Sequence, residues 1–276
     1  MKVLKNHIHI GIDEPFCVIH ASDTHIAFAD DRDGERKVRL AEDRTRHFSE
    51  AVNNLQFLRD KSVMEDKTII YTGDLIDFVS ELNIEKAKEF TDSVDIFMAA
   101  GNHEFSLYLG EEKEDAAYRN RSLSKVQAAF KNNIRFSSRE INGVLFVALD
   151  NSYYLIEEEQ FDFLKKECSR GLPVILCMHT PLYTRELFDF MREGESEDTP
   201  AYLMSVPEEL MKNYSEDRFI QQKQDALTAE VFDYIVNCDA IKALITGHIH
   251  RDYVGVINGK IQIASDVSTL REIYID

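Results

Sequence analysis

Short apolar runs recur along the chain, each bounded by polar or turn-forming residues. Runs of this length, rich in β-branched and aliphatic side chains, are typical of buried strands. They predict strands at residues 16–20, 68–71, 96–100, 144–149, 174–178 and 243–246. Residues 253–257 and 261–264 flank Asn258-Gly259, which predicts a β-hairpin. Two more strands are predicted, at 7–10 and 271–275.

Apolar residues at near-helical spacing occupy most of the segments between these strands. They predict helices at residues 39–60, 84–91, 115–131, 157–169 and 222–238. In the first helix, one face would carry Leu40, Phe48, Ala51, Leu55 and Leu58. The charge-rich segment 26–38 is predicted to be a surface loop. Because strands and helices alternate, the fold class is predicted to be α/β.

Residues 1–276 are predicted to form a single domain, because no internal repeat and no Pro/Gly/Ser-rich linker divides the sequence. Residues 182–222 interrupt the alternation with ten acidic and four basic residues, and Pro200 and Pro207 would break a long helix there. Since this acidic insertion follows a predicted strand, it could form the rim or lid of a site. A solvated excursion is an equal alternative.

The formal net charge of −18 restricts the partners of this protein. Such a surface repels polyanions, so nucleic acid is an unlikely partner and a small substrate is favoured. The longest apolar runs fall far short of the ~20 residues that span a bilayer, and no secretory signal is evident. We therefore expect a cytoplasmic protein with no membrane partner. The sequence leaves its oligomeric state open.

Four cysteines occur, at positions 17, 168, 177 and 238, without a CxxC pair. In a cytosolic protein such residues are expected to be reduced and to pack as small hydrophobic side chains. No disulfide framework is predicted.

Polar motifs follow five of the predicted strands. In chain order they are Asp23-Thr-His25, Gly73-Asp74-Leu-Ile-Asp77, Gly101-Asn102-His103-Glu104, His179 and Gly247-His248-Ile-His250. In open α/β sheets, sites gather beyond the carboxyl ends of the strands, so these side chains are expected to meet in one place. Imidazole and carboxylate donors together favour Mn, Fe or Zn over Ca or Mg. The absence of cysteine from the motifs disfavours a structural zinc site.

The order of these motifs resembles that of the calcineurin-like metallophosphoesterase superfamily, over residues 18–250. The resemblance implies a four-layer αββα sandwich, in which two stacked mixed β-sheets are flanked by helices. It also implies a metal site at the carboxyl-terminal edge of the strands that holds two divalent transition-metal ions.

The resemblance assigns a role to each motif residue. Asp23, His25 and His250 would hold the first ion, and Asn102, His179 and His248 the second. Asp74 would bridge both ions, because one carboxylate offers two oxygens. His103 would be catalytic, and Asn102 and His103 would contact the substrate. The implied reaction is phosphoester hydrolysis, by in-line attack of a hydroxide that bridges ions roughly 3.5–4 Å apart.

Weaker expectations concern the neighbours of these residues. Asp77 could orient a metal-binding histidine or stabilise a turn, and Glu104 could also support the site, although a structural role is favoured. Asp150 and Asn151 follow a strand and could line the pocket. The motif glycines Gly73, Gly101 and Gly247 are expected to allow tight, left-handed turns. Exposed structural roles are expected for His7, His9, His20 and His47, and surface positions for Arg32, Arg185 and Arg251.

Two departures from the family pattern narrow the range of substrates that we expect. Phe78 occupies the position where Ser/Thr protein phosphatases of this superfamily carry an arginine, and Thr180-Pro181 replaces their Gly-rich segment. The sequence therefore favours a small phosphodiester or phosphomonoester, with a slight preference for the diester. The alternatives are a phosphoprotein phosphatase that docks through residues 182–222 and a catalytically silent scaffold.

Overall fold

The computed structural model describes residues 1–108 and 115–276. Its strands are β1 (Lys2–Ile8), β2 (Phe16–Ala21), β3 (Ile69–Tyr71), β4 (Ile96–Met98), β5 (Phe136–Ile141), β6 (Val144–Leu149), β7 (Val174–Cys177), β8 (Ile241–Thr246), β9 (Tyr253–Ile257), β10 (Lys260–Ala264) and β11 (Thr269–Ile275). Its α-helices are α1 (Glu35–His47), α2 (Ala51–Glu65), α3 (Glu81–Ser93), α4 (Ala116–Asn120), α5 (Leu123–Gln127), α6 (Glu158–Cys168), α7 (Arg185–Arg192), α8 (Glu216–Gln222) and α9 (Ala226–Asn237). Short 3-10 turns lie at Asp31–Asp33, His103–Phe105 and Glu208–Leu210.

The strands form two mixed sheets. The first has the order β1-β11-β2-β3-β4, and its β2, β3 and β4 are parallel. The second has the order β5-β6-β7-β8-β10-β9, and its four central strands are parallel. The carboxyl ends of parallel strands share one edge of a sheet, so each sheet delivers several loops to the same side.

Three apolar layers hold the sheets and helices together. The layer between the sheets includes Val18 and Ile70 of the first sheet and Phe146 and Ile175 of the second. A second layer packs α2 and α3 against the outer face of the first sheet, and a third packs α6 and α9 against the second sheet. The result is the predicted α/β fold, with two mixed sheets between helices.

The acidic insertion has a small apolar core of its own. Buried residues of this core include Leu187, Leu203 and Met211, and they pack together with Ile249. The Gln262 side chain fixes the start of the insertion, because its amide oxygen and nitrogen bond the backbone N–H and C=O of Leu182 at 2.9 and 3.0 Å.

Three predicted helices differ from the observed ones. The helix predicted at 39–60 is broken, because Phe48 leaves helical geometry at φ −105° and ψ 55°. The helix predicted at 115–131 is two short helices; Ser122, between them, turns its hydroxyl to the Phe105 carbonyl. The helix predicted at 222–238 begins later, where the Asp225 carboxylate caps its first turn by accepting a bond from the Thr228 N–H.

Two other predictions can be compared with the observed strands. The hairpin at Asn258-Gly259 is present, and both turn residues have positive φ, as a type I′ turn requires. Strand β5 was not predicted, because its sequence FSSREI lacks an apolar run and lies at a sheet edge. The four cysteines are free. Within residues 1–108 and 115–276, no helix combines the length and apolar character needed to cross a bilayer.

The layer between the sheets is expected to dominate the stability. Replacing the fully buried Phe146 by alanine should lower the free energy of unfolding by about 3–5 kcal/mol, because the lost ring leaves a cavity. Val256→Ala is the control, since this side chain is 63% exposed and its loss should cost no more than about 0.5 kcal/mol. Urea unfolding measures both values. Equal losses in the two variants would contradict this account of the core.

Candidate metal centre

The five predicted motifs meet at one edge of the two sheets. Asp23 follows β2, Asp74 follows β3 and Asn102 follows β4 of the first sheet. His179 follows β7 and His248 follows β8 of the second sheet. Both sheets therefore contribute side chains to the same cluster, which no single sheet could assemble.

Asp23, His25 and His250 form the first group. Their ligand atoms lie within 4.8 Å of one another. The Nε2 atoms of His25 and His250 are 3.1 Å apart, and the Asp23 Oδ1 atom lies 3.4 Å from His250 Nε2. Two imidazole nitrogens and a carboxylate oxygen that converge in this way suit a divalent cation.

Asp74, His179 and His248 form the second group, again within 4.8 Å. The Asp74 Oδ2 atom lies 3.1 Å from His179 Nε2, and His179 Nε2 lies 3.0 Å from His248 Nδ1. The same Asp74 oxygen is 3.7 Å from His25 Nε2 in the first group. Asp74 thus belongs to the second group and also lies beside His25 of the first.

Asn102 provides an independent test of whether a metal fits this site. Its Oδ1 atom is buried, and no described residue offers it a hydrogen bond. A buried carbonyl oxygen without a partner is energetically costly, and a cation would satisfy it. The donor set and this oxygen therefore suit divalent metal ions.

His103 belongs to the same neighbourhood. Its Nδ1–H donates to the backbone carbonyl of Asp77 at 2.7 Å, and its side chain remains 20% exposed. A third group within 4.8 Å contains His103 with His25 and Asp74. Proximity alone is therefore compatible with metal binding by His103 as well as with contact to substrate.

Hydrogen bonds orient the imidazole rings toward the cluster. The His25 Nδ1–H donates to Asp77 Oδ1 at 3.1 Å, and the His179 Nδ1–H donates to the Thr72 carbonyl at 2.7 Å. His248 Nε2 is bonded to the Tyr154 hydroxyl at 2.8 Å. In each ring the other nitrogen faces the cluster. Such outer hydrogen bonds fix the tautomer of a metal ligand.

Phe48 and Arg44 add a second support for His25. The Phe48 ring stacks on the His25 ring, with centroids 4.2 Å apart and planes 8° from parallel. The Arg44 guanidinium lies 4.9 Å from the Phe48 centroid and donates to both Asp77 oxygens at 2.7 and 2.8 Å. The break after α1 therefore places Phe48 against a cluster residue instead of on a continuous helix face.

Glu104 connects two of the site loops. Its fully buried carboxylate accepts backbone N–H bonds from Asp74, Leu75 and Gly101, each at 2.7 Å. Burial and the Asp74 carboxylate raise the pKa of Glu104 to about 8, and the N–H donors oppose that rise. Glu104 therefore holds the loop after β3 against the loop after β4 beside the cluster.

Burial and neighbouring charges shift the pKa values of the cluster residues in opposite directions. Burial lowers the pKa of His25. Burial and the nearby His179 lower the pKa of His248 to about 3. Both rings are therefore neutral and can donate a nitrogen lone pair to a metal ion. Burial would also lower the pKa of His179, but Asp74 and Asp23 raise it to about 10. Burial would raise the pKa of Asp23, yet His179 and His250 lower it to about 2.

The backbone is strained at the cluster. Asp23, His25, Asp74, His248 and His250 have φ between 49° and 68°, a region that non-glycine residues seldom adopt. Strain of this kind concentrates at functional sites and persists only when the surrounding structure enforces it.

The motif glycines differ from expectation. Gly73 has a positive φ of 95°, as predicted, but Gly101 and Gly247 are absent from the left-handed residues. At these two positions glycine is needed because there is no room for a side chain. A Cβ at Gly101 would collide with the Asp74 carboxylate, and one at Gly247 with Ser22 and Asp23.

A cavity of about 570 Å³ opens onto the cluster. Its lining includes Asp74, Asn102, His103, His248 and His250. The acidic insertion contributes Met191, Glu195, Thr199, Pro200, Tyr202 and Arg218. The cavity volume is within the range of small-molecule sites.

The remaining candidate residues lie apart from the cluster or support it. Asn151 supports it, because its Oδ1 accepts the backbone N–H bonds of His179 and Thr180. Asp150 is buried and pairs with Arg119. Surface residues include His7, His9, His47, Arg32 and Arg185. Arg251 borders the cavity.

His20 corrects one prediction. It was expected to be exposed, but it is fully buried on β2 and bonded to Thr72 and Ser265. The strand alternation places its side chain inside the protein, where the two hydroxyl groups satisfy its nitrogens.

Several residues around the site were not predicted: Arg44, Phe48, Tyr108, Tyr154, Tyr202 and Arg218. None lies in a motif that follows a strand. The positions of Arg44 and Phe48 depend on a helix break, and those of Tyr202 and Arg218 on the fold of the insertion, so apolar periodicity gave no signal for these four residues.

Comparisons with known proteins agree with this geometry. Residues 17–252 match the sequence profile of the family described as calcineurin-like phosphoesterase. A comparison with curated protein sequences returns no match. Similar solved structures include a purple acid phosphatase from yellow lupin (Lupinus luteus) seeds, with 15% identity, a TM-score of 0.52 and coverage of 92% of this chain. They also include a dimetal phosphatase from Danio rerio, with 13% identity, a TM-score of 0.50 and coverage of 91% of this chain.

The chain spans 44% of the lupin protein and 87% of the Danio rerio protein. At these identities the structures show a shared fold, whereas the family match extends over most of the chain. Because that match includes every motif of the cluster, the chain belongs to the calcineurin-like phosphoesterase family.

Proposed function

We propose that this protein hydrolyses a small phosphoester at a pair of divalent transition-metal ions, which would be Mn, Fe or Zn. The observation that carries the proposal is the position of Asp74, which belongs to the second group of ligand atoms and lies 3.7 Å from His25 of the first group. One group would hold the first ion through Asp23, His25 and His250. The other would hold the second ion through His179, His248 and the otherwise unpartnered Asn102 oxygen.

When bound, such ions polarise phosphoryl oxygens and lower the pKa of a coordinated water. The protein's own residues provide the remaining functions. Asp74 places negative charge between the two ligand groups. Asn102 lines the cavity beside the cluster.

His103 is the proposed catalytic residue. Its Nδ1–H is engaged by the Asp77 carbonyl, which leaves Nε2 to contact the phosphoester or to supply a proton to the leaving oxygen. The bond to the Asp77 carbonyl limits rotation of the ring. Family membership supports a phosphoester hydrolase, and the geometry supports His103 as its proton donor.

A diester is the slightly favoured substrate. Phe78, at the position where the protein phosphatases of the superfamily carry an arginine, is apolar and fully buried. Arg44 lies nearby, but its guanidinium already donates to both oxygens of Asp77. Because neither Phe78 nor Arg44 offers a free cation to the phosphate, a singly charged diester is slightly favoured over a dianionic monoester.

The direct test is hydrolysis of two chromogenic esters by the purified protein. With Mn, Fe, Co, Ni or Zn supplied in turn, bis-(4-nitrophenyl) phosphate should be cleaved, and 4-nitrophenyl phosphate more slowly. Failure with every metal would reject the proposal. Metal-bound protein without any hydrolysis would favour a catalytically silent scaffold.

Replacing His103 by alanine should lower kcat about 10²- to 10⁴-fold, because a positioned proton donor is lost. Elemental analysis should find the same metal content as in the unaltered protein. His9→Ala is the control, since His9 is exposed and pairs with Asp276. If His103→Ala instead lost metal, the residue would be a ligand and its assignment would be wrong.

Replacing Phe48 by alanine should weaken metal binding by roughly three- to tenfold, because the stacking contact that holds His25 is worth about 0.5–1.5 kcal/mol. Titration calorimetry with Mn should show this loss at one of two sites. Phe57→Ala is the matched control, because Phe57 is a 39% exposed residue of α2. Equal affinities in the two variants would show that Phe48 does not position His25.

A further inference from the structure

The acidic insertion forms much of the cavity wall beyond the metal cluster. A phosphoryl group held at Asp74, Asn102 and His103 would occupy only part of the 570 Å³. The leaving group must lie in the remainder, where Tyr202 and Arg218 are exposed to it. The chemistry of these two side chains therefore bears on which ester the protein accepts.

Tyr202 is held rigidly beside the cluster. Its neighbours Ala201 and Leu203 are fully buried, and the Ala201 N–H donates to the Tyr214 hydroxyl at 2.8 Å. Tyr202 itself has a φ of 55°, a strained value for an aromatic residue. Its ring lies 6.0 Å from that of His248, at 79°. The strained backbone at Tyr202 thus places its aromatic ring next to His248, a candidate metal ligand.

Arg218 lies over this aromatic surface. Its guanidinium is 5.7 Å from the centroid of Tyr202, and it donates to the Gln221 side chain. In the described part of the chain, no carboxylate lies within 4.0 Å of it. Two other arginines near the insertion do pair, Arg185 with Asp189 and Arg251 with Glu195. Among the described residues, Arg218 is therefore a cavity-facing cation without an acidic partner, and in a chain of net charge −18 it can bind an anion.

We propose that the substrate is a phosphoester whose leaving group carries a flat ring and a second anionic group. The ring stacks on Tyr202, and the second anion binds the Arg218 guanidinium. Stacking on an aromatic side chain and a charge-assisted hydrogen bond are contacts that such a leaving group can make and a plain alkyl ester cannot. This inference rests on the proposed function, because it places the scissile phosphate at the metal cluster.

Four phosphonates, which the protein cannot hydrolyse, allow the contact with Tyr202 and the contact with Arg218 to be measured separately. Phenylphosphonate carries the ring, 3-phosphonopropionate carries the second anion, 4-phosphonobenzoate carries both, and ethylphosphonate carries neither. Titration calorimetry with the Mn-loaded protein measures the affinity of each. We expect 4-phosphonobenzoate to bind at least about tenfold more tightly than phenylphosphonate, because a hydrogen bond between charged groups is stronger than one between neutral groups.

Two variants assign the contacts to residues. Arg218→Ala should remove the preference for 4-phosphonobenzoate over phenylphosphonate and leave ethylphosphonate binding unchanged. Tyr202→Asn removes the ring with a residue that tolerates left-handed backbone, and should remove the preference for phenylphosphonate over ethylphosphonate. Arg185→Ala is the matched control, because Arg185 lies in the same insertion and pairs with Asp189.

The outcomes separate this inference from the proposed function. If the four phosphonates bind with equal affinity, or if Arg218→Ala keeps the preference, the leaving-group inference is wrong and the phosphoesterase proposal stands. If no phosphonate binds to the metal-loaded protein, the leaving-group inference is wrong, and cleavage of the two chromogenic esters decides separately whether the phosphoesterase proposal stands.

Discussion

The structure depends on a dense group of charges that is buried at one edge of two sheets. Asp23 and Asp74 are almost fully excluded from solvent, and imidazole nitrogens lie between 3.1 and 4.0 Å from their oxygens. Burying carboxylates is costly unless they are paired or coordinate a cation. The Asp74 and Asp23 carboxylates raise the pKa of His179 to about 10, so in the absence of metal its ring carries a positive charge that offsets part of that cost. Bound cations would offset more.

The surrounding fold holds this arrangement in place. Five strand ends from two sheets deliver the ligand atoms, and Glu104 joins the loops after β3 and β4 through backbone hydrogen bonds. The Asn151 side chain, which follows β6, accepts the backbone N–H bonds of His179 and Thr180 and so holds the turn after β7. These bonds and the close approaches at Gly101 and Gly247 restrain the loops around the left-handed residues of the site. Rigidity of this kind preorganises a site for ligands.

The sequence predicted the parts of the structure that local patterns determine. Apolar runs located the strands of the parallel core, and the motif after each run named the residues that meet at the cluster. The roles of those residues in metal binding and catalysis stay predictions. Phe48 shows the limit of this reasoning. Its spacing matched a helix face, but a tertiary contact with the His25 ring accompanies a break in the helix that periodicity does not reveal. The contact between Tyr202 and Arg218 could not be predicted from the sequence either, because it depends on how the acidic insertion folds.

Anomalous diffraction from crystals grown with Mn tests the central claim most directly, because it locates each ion independently of activity. The account predicts two peaks, one among Asp23, His25 and His250 and the other among Asn102, His179 and His248, with Asp74 contacting both. A single peak, no peak, or two ions without a shared Asp74 carboxylate would contradict it.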